Sequence, residues 1–216
     1  MSHSWNVTPA EAVEIQRRLA GAVVRHDELG PVRFVAGVDV GFEQANSVTR
    51  AAVVILRFPE LTLHEQAVAR LPTSFPYIPG LLSFREGPAI LEALGKLQQR
   101  PDLMLFDGQG LAHPRRLGIA SHIGVLVDIP SIGVAKSRLR GRARAPLNSE
   151  KGAWELLWDG DEVVGALVRT RSKVKPLYVS IGHRVSLDTA ICYVLACTTR
   201  YKLPETTRWA HRLASS

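Results

Sequence analysis

The sequence is poor in the features that mark secreted and membrane proteins. Only two of its 216 residues are cysteine, Cys192 and Cys197. If that segment is helical, their spacing puts them on different sides of the helix, so we expect no disulfide. No apolar run approaches the ~20 residues of a membrane-spanning helix, and the first residues lack the basic and apolar stretches of a secretory signal. We therefore expect a cytoplasmic protein with no membrane partner.

The composition is that of a globular protein. Apolar residues make up 46% of the chain and charged residues 22%, which argues against disorder. There is no internal repeat, low-complexity tract or linker, so we expect a single domain over residues 1–216, with its core at about 9–214, and a monomer. The formal net charge of +7 favours a polyanionic partner without identifying it.

The basic residues are concentrated in three places. They alternate along residues 136–144 and again along 169–175, and Arg115 and Arg116 form a pair. Such segments are either solvated loops and edge strands or a rim that binds phosphate groups. On the second interpretation, Arg115, Arg138 and Arg140 are candidate phosphate contacts.

The first third of the chain predicts a helix followed by an antiparallel meander. Thr8, Pro9 and Glu11 have the positions of a capping box, and the helix should run to about residue 25. Strands are predicted at 31–41, 51–58 and 61–69, with a tight hairpin connection between the last two.

The remainder predicts alternating helices and strands. A helix should run to about residue 97. Its start is ambiguous, because Ser83 and Glu86 resemble a capping box, whereas Pro88 fits better in a first turn, with Glu86 near the helix entrance. The further predicted strands are 103–106, 130–136, 162–169 and 177–181, the last two following an arginine-rich loop. The further predicted helices are 118–127, 186–199 and 205–214.

This order of elements indicates an α/β fold. A three-strand antiparallel meander is followed by parallel strands with crossover helices, since a helix lies between the strand ending near 107 and the next. The arrangement matches a ribonuclease H-like mixed sheet with helices on both faces. Fold analogy alone fixes no function.

Three carboxylates occupy positions that favour a catalytic site. Asp39 lies within the first strand, Glu86 near a helix start, and Asp107 at the end of an apolar strand. If the strands of Asp39 and Asp107 are neighbours, both side chains converge at one sheet edge, where ligands bind in open α/β sheets. Close like charges favour a cation between them, and oxygen ligands suit Mg²⁺ or Mn²⁺. Such a site hydrolyses phosphodiesters.

Each of these residues also has an ordinary interpretation. Asp107 could be a turn residue, Glu86 a plain cap and Lys136 a surface lysine at a strand end. His113 could cap a turn or pair with Asp107. Asp39 could belong to a turn, although its valine neighbours make that the weakest alternative. Their joint placement at strand ends favours a metal-dependent nuclease.

Several segments of the sequence form specific motifs. The most specific is Pro-Tyr-Ile-Pro-Gly at 76–80 with Ser-Phe-Arg-Glu at 83–86, and the others are 34–42, 107–115, 133–137 and 203–214. Together they resemble the Endonuclease V family, the deoxyinosine 3′ endonucleases, and the resemblance covers about residues 9–214.

The resemblance implies a ribonuclease H-like fold and a DNA-repair activity. Cleavage would depend on Mg²⁺, for which Mn²⁺ can substitute, at the second phosphodiester 3′ to a hypoxanthine base, leaving 3′-hydroxyl and 5′-phosphate ends. It implies a metal site of Asp39, Glu86 and Asp107, with Lys136 near the scissile phosphate or leaving group. His113 and His211 match positions near the active site whose roles are open.

The resemblance also implies how the lesion is recognised. A wedge segment, Pro76, Tyr77, Ile78 and Pro79, would enter the duplex. The flipped base would occupy a pocket that uses five residues, namely Leu82, Gly108, Gly118, Ile119 and Leu139. A stiff, proline-flanked aromatic suits unstacking of a base step. Tyr77 alone could equally anchor a loop in the core.

Three other functions compete with this one. The nearest is an inosine-specific endoribonuclease of the same fold. A different ribonuclease H-like nuclease is disfavoured by the wedge followed by Glu86. A non-catalytic nucleic-acid-binding module is disfavoured by the intact Asp39, Glu86, Asp107 and Lys136.

Overall fold

A computed structural model describes residues 2–215, so Met1 and Ser216, the ends of the predicted domain range, lie outside the described residues. The strands are β1 (Phe34–Glu43), β2 (Val48–Arg57), β3 (Thr62–Pro72), β4 (Leu103–Phe106), β5 (Ser131–Ala135), β6 (Arg142–Ala143), β7 (Trp154–Asp159), β8 (Glu162–Val168) and β9 (Leu177–His183). The helices are α1 (Pro9–Ala20), α2 (Leu82–Gly95), α3 (Ile119–Val127), α4 (Leu187–Ala196) and α5 (Glu205–Ala214).

The strands form one mixed sheet in the order β3-β2-β1-β4-β5-β9-β8-β7-β6. The first three strands are an antiparallel meander, and β4 lies beside β1 in parallel register, with Val38 opposite Phe106. β5 is parallel to β4, whereas β9 returns antiparallel to β5. The predicted meander and parallel strands, and with them the ribonuclease H-like α/β fold, are confirmed.

Alternating side chains divide the sheet into two apolar faces. Leu103 and Leu105 of β4 belong to the layer that packs against α4 and α5. Met104 and Phe106 point the opposite way, into the layer covered by α2 and α3. A strand that is buried on both faces reads as a continuous apolar run, which is how β4 stands out in the sequence.

The start of α2 differs from the expectation. The helix begins at Leu82 without a side-chain cap, and Pro88 lies inside it, not in its first turn. Proline at that position has no N–H to donate to the preceding turn. The buried Phe84 and Ile90 on either side of it favour the helix through packing. Glu86 consequently lies one turn inside the helix.

The ends of two predicted helices, the bounds of the first three strands and one predicted loop were wrong. β1 begins at Phe34 instead of 31, β2 begins at Val48 instead of 51, and β3 ends at Pro72 instead of 69. α1 ends at Ala20 instead of near residue 25, because the following backbone bonds to β9: the Val24 N–H donates to His183 Nδ1 at 3.2 Å. α4 is shorter than 186–199, and Ser186 is its N-cap instead of its first residue. The arginine-rich loop contains β6 and β7, which pair with each other and extend the sheet.

Two glycines of β1 bring α5 onto the sheet. A Cβ at Gly37 would lie 1.9 Å from the Thr206 carbonyl oxygen, and one at Gly41 would lie 2.4 Å from that of Ala214. Any side chain at either position would therefore push the helix away. The close approach places the end of α5 over the part of β1 that carries Asp39.

Cys192 and Cys197 are both free thiols, as expected. Within residues 2–215, every helix is too short or too polar to cross a membrane.

Candidate active site

Asp39 and Asp107 lie together at one edge of the sheet because β1 and β4 are parallel neighbours. The Asp107 N–H donates to the Val38 carbonyl at 3.0 Å, which continues the ladder to the end of β4. One ligand atom each from Asp39, Asp107 and His211 lies within 4.8 Å of the other two. Two carboxylates and an imidazole at this spacing form a group that can hold a metal ion.

Each carboxylate oxygen of Asp39 has a partner. His211 Nδ1 lies 2.7 Å from Oδ2, and the Val40 N–H donates to Oδ1 at 2.8 Å. Burial and the neighbouring Asp107 carboxylate raise the pKa of Asp39, and the hydrogen bond from His211 opposes that shift. His211 projects from α5, so the helix that covers the sheet also completes its polar edge.

Glu86 lies near this group without joining it at that distance. Burial raises the pKa of Glu86 to about 8, and the charges of Asp39 and Asp107 contribute to the shift. The third position beside the two aspartates is therefore taken by His211, whereas the predicted metal site had Glu86 there. Whether Glu86 is a metal ligand stays a prediction.

Lys136 is the first residue after β5, and its ammonium group forms an ion pair with Asp107 Oδ2. The lysine side chain is 41% exposed and that of Asp107 13%. Lys136 therefore lies between the carboxylate group and the solvent, on the side from which a phosphate can approach.

His113 is buried and pairs with the Gly80 carbonyl, not with Asp107. Its Nδ1 accepts from the Arg115 N–H at 3.1 Å, which leaves Nε2 to donate to Gly80 at 2.9 Å. Burial lowers the pKa of His113 to about 4, so the imidazole is neutral at pH 7. The catalytic role of His113 stays a prediction. Its observed contact is with Gly80, the residue directly after the wedge segment.

The wedge segment, residues 76–79, is held at both ends and open in the middle. Before it, the Phe75 carbonyl accepts from Arg85 Nη1 at 2.9 Å. After it, the Gly80 carbonyl accepts from three side chains. Tyr77 between them is 70% exposed, so it is not a core aromatic.

One cavity joins the wedge segment to the carboxylates. It has a volume of about 470 Å³, and Asp107, Lys136 and Tyr77 all line it. Its wall includes every residue of the predicted base pocket, which are Leu82, Gly108, Gly118, Ile119 and Leu139. A methyl group at Gly108 would lie 2.5 Å from the Ile119 side chain, so the glycine keeps this wall open.

Gln16 also lines the cavity, and the sequence did not predict it. The one signal in the sequence is an amide on the buried side of the amphipathic α1.

The predicted phosphate contacts differ in their surroundings. Arg115 turns inward to Gln16 and Gly80, and Arg140 pairs with Asp159 at 2.9 Å. Arg138 is exposed and lines the cavity. All three stay predictions as phosphate contacts, and only Arg138 is placed to make one without first losing an internal partner.

Other basic residues gather beside Lys136 at the same end of the sheet. Ala135 is opposite Tyr178, which puts Lys136 near the start of β9, and Lys175 lies two residues before that strand. Thr170 Oγ1 donates to the Lys202 carbonyl at 2.6 Å and ties the α4–α5 connection to this edge. Burial, Lys175 and Lys136 lower the pKa of Lys202. Within residues 2–215, neither Lys175 nor Lys202 forms an ion pair with an acidic residue.

Known proteins share this architecture and sequence. The family model described as Endonuclease V matches residues 17–212. The chain belongs to the Endonuclease V family. An Endonuclease V of Trichormus variabilis is 57% identical over 215 residues, which cover 99% of this chain and 97% of the relative. Membership makes the protein a nuclease.

Solved structures of the family superpose closely on this fold. The crystal structure of Endonuclease V from Streptomyces avermitilis matches with a TM-score of 0.93 and 43% identity, covering 100% of this chain and 95% of that one. Ciona intestinalis Endonuclease V, in complex with a 23mer DNA containing an inosine followed by a ribo-adenosine, matches with a TM-score of 0.83 and 29% identity, covering 97% of each chain. The mixed sheet and its helices are thus common to bacterial and animal members.

Proposed function

We propose that this protein is a metal-dependent endonuclease of DNA repair that recognises deoxyinosine. It hydrolyses the second phosphodiester 3′ to the lesion and leaves 3′-hydroxyl and 5′-phosphate ends. The observation that carries the proposal is the single cavity lined both by Asp107, beside the carboxylate group, and by the exposed Tyr77 of the wedge segment. The inosine-containing DNA bound by the Ciona relative supports the choice of lesion.

The residues at the sheet edge fit a divalent metal ion. Asp39 and Asp107 supply hard oxygen donors, and His211 stands with them within 4.8 Å. Mg²⁺ binds through one or two carboxylates and keeps several waters, which suits an edge where the aspartates are largely buried and the neighbouring Lys136 and His211 are partly exposed. Mn²⁺ accepts the same donors. We propose Asp39, Glu86 and Asp107 as the ligands, with Glu86 giving up its proton when a cation neutralises the two aspartate charges that raise its pKa. When bound, the metal ion activates a water and neutralises the charge that develops on the phosphate.

The protein's own groups position the substrate around this edge. The Lys136 ammonium, paired with Asp107, offers a cation for a phosphate oxygen near the carboxylates. His211 and the Val40 N–H keep both oxygens of Asp39 in a fixed orientation. The chain therefore supplies binding and orientation at the bond to be cut.

The cavity suits a flipped hypoxanthine. α3 begins there at Ile119 without a side-chain cap, and the positive end of its dipole faces the cavity wall. The Gly118 and Ala120 N–H groups donate to the Gly110 and Gln109 carbonyls, which leaves the Ile119 N–H to read the O6 acceptor that distinguishes hypoxanthine from adenine. A tight wall at Gly108 and Ile119 can exclude the 2-amino group that distinguishes guanine.

The wedge segment provides the step that frees the base. Tyr77 stands out from the surface between two anchored carbonyls, those of Phe75 and Gly80. An aromatic inserted at a base step unstacks it at a cost of about a few kcal/mol, which is lowest where pairing is already weak. Deaminated adenine pairs poorly with thymine, so the lesion is the easiest place to insert.

A cleavage assay tests this function. The protein is incubated with inosine-containing and undamaged duplexes, with Mg²⁺, Mn²⁺ or EDTA, and the product ends are mapped. We expect the protein to cut the inosine duplex and not the undamaged one, and to do so only when a metal ion is present. The cut should fall at the second phosphodiester 3′ to the inosine. Equal cutting of both duplexes would contradict base specificity, and cutting in EDTA would contradict the metal site.

An inosine-specific endoribonuclease is the second candidate. The Ciona relative was solved with a ribonucleotide directly after the inosine. The same assay is therefore run in parallel on inosine-containing RNA. Faster cutting of RNA than of DNA at equal concentration would assign this function instead.

A further inference from the structure

The Gly80 carbonyl, at the end of the wedge segment, is the acceptor of three side-chain donors. Arg115 Nη2 lies 2.7 Å from the oxygen, His113 Nε2 lies 2.9 Å away and Gln16 Nε2 3.0 Å away. Three donors share the two lone pairs of this oxygen, and because one of them is the charged Arg115 and they approach from different segments, the carbonyl has little freedom to turn. We refer to Gln16, His113 and Arg115 as the Gly80 clamp.

Gln16 is the member that joins the clamp together. Its Oε1 accepts from Arg115 Nε at 2.5 Å while its Nε2 donates to Gly80, so one amide orients the arginine and the carbonyl at once. The side chain is 1% exposed. Burying an amide costs free energy that an apolar side chain of the same size would avoid. The amide therefore has a role beyond packing, which is to orient the Arg115 guanidinium and the Gly80 carbonyl.

The clamp links three parts of the molecule. Gln16 belongs to α1. This helix is fixed by Leu19, which packs in one apolar cluster with Leu117 and with Val125 of α3. His113 and Arg115 lie in the loop that begins at Asp107. Gly80 itself has φ +80°, and a Cβ there would lie 3.0 Å from the Arg115 guanidinium, so the turn needs glycine and the clamp closes directly over it.

We infer that Gln16 is a positioning residue for lesion recognition, because it fixes the direction in which the wedge segment leaves the fold. The inference rests on the proposed function of that segment. With Gly80 held, insertion of Tyr77 and entry of the base into the cavity occur at one set distance from Asp107. Without Gln16, Arg115 Nε loses its acceptor and the segment pivots about Phe75.

Two substitutions separate the roles of the amide. Gln16→Leu keeps the volume and removes all three hydrogen bonds of the side chain, to Gly80, to Arg115 and, at 3.4 Å, to the Leu117 carbonyl. Gln16→Glu keeps an acceptor for Arg115 but replaces the donor to Gly80 with a carboxylate that repels its oxygen. Gln98→Leu is the matched control, since Gln98 is exposed and its side chain has no hydrogen bond within residues 2–215.

Binding is measured in EDTA, so that no strand is cut. Affinities are determined for inosine and undamaged duplexes, and a 2-aminopurine beside the inosine reports unstacking by its fluorescence. We expect both Gln16 variants to lose about tenfold in the ratio of the two affinities, and to lose most of the fluorescence rise. Gln98→Leu should match wild type in every measurement.

The possible failures can be told apart. If wild type is selective and Gln16→Leu is equally selective, this inference is overturned and the proposed function stands. Equal losses of affinity for both duplexes, together with a lower melting temperature, would also overturn it, because they indicate a purely structural role. A wild-type protein that binds both duplexes alike would instead overturn the proposed function.

Discussion

His211 Nδ1 lies 2.7 Å from Asp39 Oδ2, although the two residues are 172 positions apart in the sequence. Asp39 is held by the sheet and His211 by the helix that covers it. Because the Val40 N–H binds the other oxygen, the carboxylate cannot rotate freely. A group that orients a metal ligand in this way affects both metal affinity and turnover.

His211→Ala should therefore weaken cleavage without abolishing it. We expect a loss of about 10- to 100-fold, with the Mg²⁺ requirement moved to higher concentration. The measurement is the rate of inosine-duplex cleavage over a Mg²⁺ titration. His26→Ala is the control, because His26 is an exposed histidine whose partner within residues 2–215 is Glu28. An unchanged Mg²⁺ dependence in His211→Ala would remove His211 from this role.

Asp107→Asn should separate chemistry from binding. The amide keeps the shape but loses the charge that pairs with Lys136, so we expect cleavage to fall by about 10³-fold or more. Affinity for the inosine duplex in EDTA should change little. Asp161→Asn is the control, since the Asp161 side chain is fully exposed. Near-normal turnover of Asp107→Asn would show that Asp107 is not a metal ligand.

Tyr77→Ala should reduce selectivity more than the rate of bond cleavage. Stacking of an aromatic on a base is worth about 1–3 kcal/mol, so the preference for inosine over undamaged DNA should drop by about tenfold or more. The ratio of kcat/KM for the two duplexes measures this. Tyr201→Ala removes another exposed tyrosine, one that lies under the Arg208 guanidinium, and should leave the ratio unchanged. If the two variants behave alike, Tyr77 is not the wedge.

The buried His122 should make stability fall in acid. Its Nδ1 pairs with Ser83 Oγ at 2.8 Å, and burial, with the nearby His3 and His113, lowers the pKa of His122 to about 3. An unfolded histidine titrates at about 6.5, so between these values the unfolded state binds more protons than the native state. The contribution of His122 is therefore complete above pH 6.5 and is lost as the pH falls towards 3.

Urea unfolding at pH 7 and pH 5 measures this effect. The free energy of unfolding should decrease by up to about 1.4 kcal/mol per pH unit from this one group. His122→Asn keeps an acceptor for Ser83 and does not titrate, so its stability should fall less over the same interval. Equal decreases in the two proteins would contradict the shifted histidine.

Lys175 and Lys202 should contribute to DNA affinity through phosphate groups. Both lie near Lys136, and neither is neutralised by an acidic neighbour within residues 2–215. Replacing the two with alanine should weaken binding to all sequences alike and reduce the slope of log affinity against log salt by about 1 to 2. Arg25→Ala is the control, because Arg25 is already paired with Glu162. An unchanged salt slope would place the DNA elsewhere.

The sequence predicted the elements that local patterns determine. The run before Asp107 is apolar because β4 is buried on both faces, and an embedded carboxylate among valines marks Asp39 as a strand residue. From these two strands, the meeting of the carboxylates follows by parallel pairing alone. His211 has no such signal in the residues around it, since its contact with Asp39 depends on where α5 lies.

Interactions between distant segments explain what the sequence did not predict. β6 has two residues and β7 buries only Leu157 fully, so neither shows the pattern of a strand until they pair with each other. Whether Arg115 points outward or inward depends on Gln16, 99 positions away. The helix through Pro88 persists because its neighbours are buried, a property of the packed fold.

The glycines of β1 make the site sensitive to positions that carry no functional group. Gly37 meets the Thr206 carbonyl and Gly41 that of Ala214, so the separation between strand and helix is set by the absence of side chains. A single methyl group at Gly37 would lift the helix and withdraw His211 from Asp39 without altering either polar residue. In this family member, a change at a glycine two residues from Asp39 can thus weaken the enzyme without touching a charged group, and a search for impaired variants that considers only polar residues would overlook it.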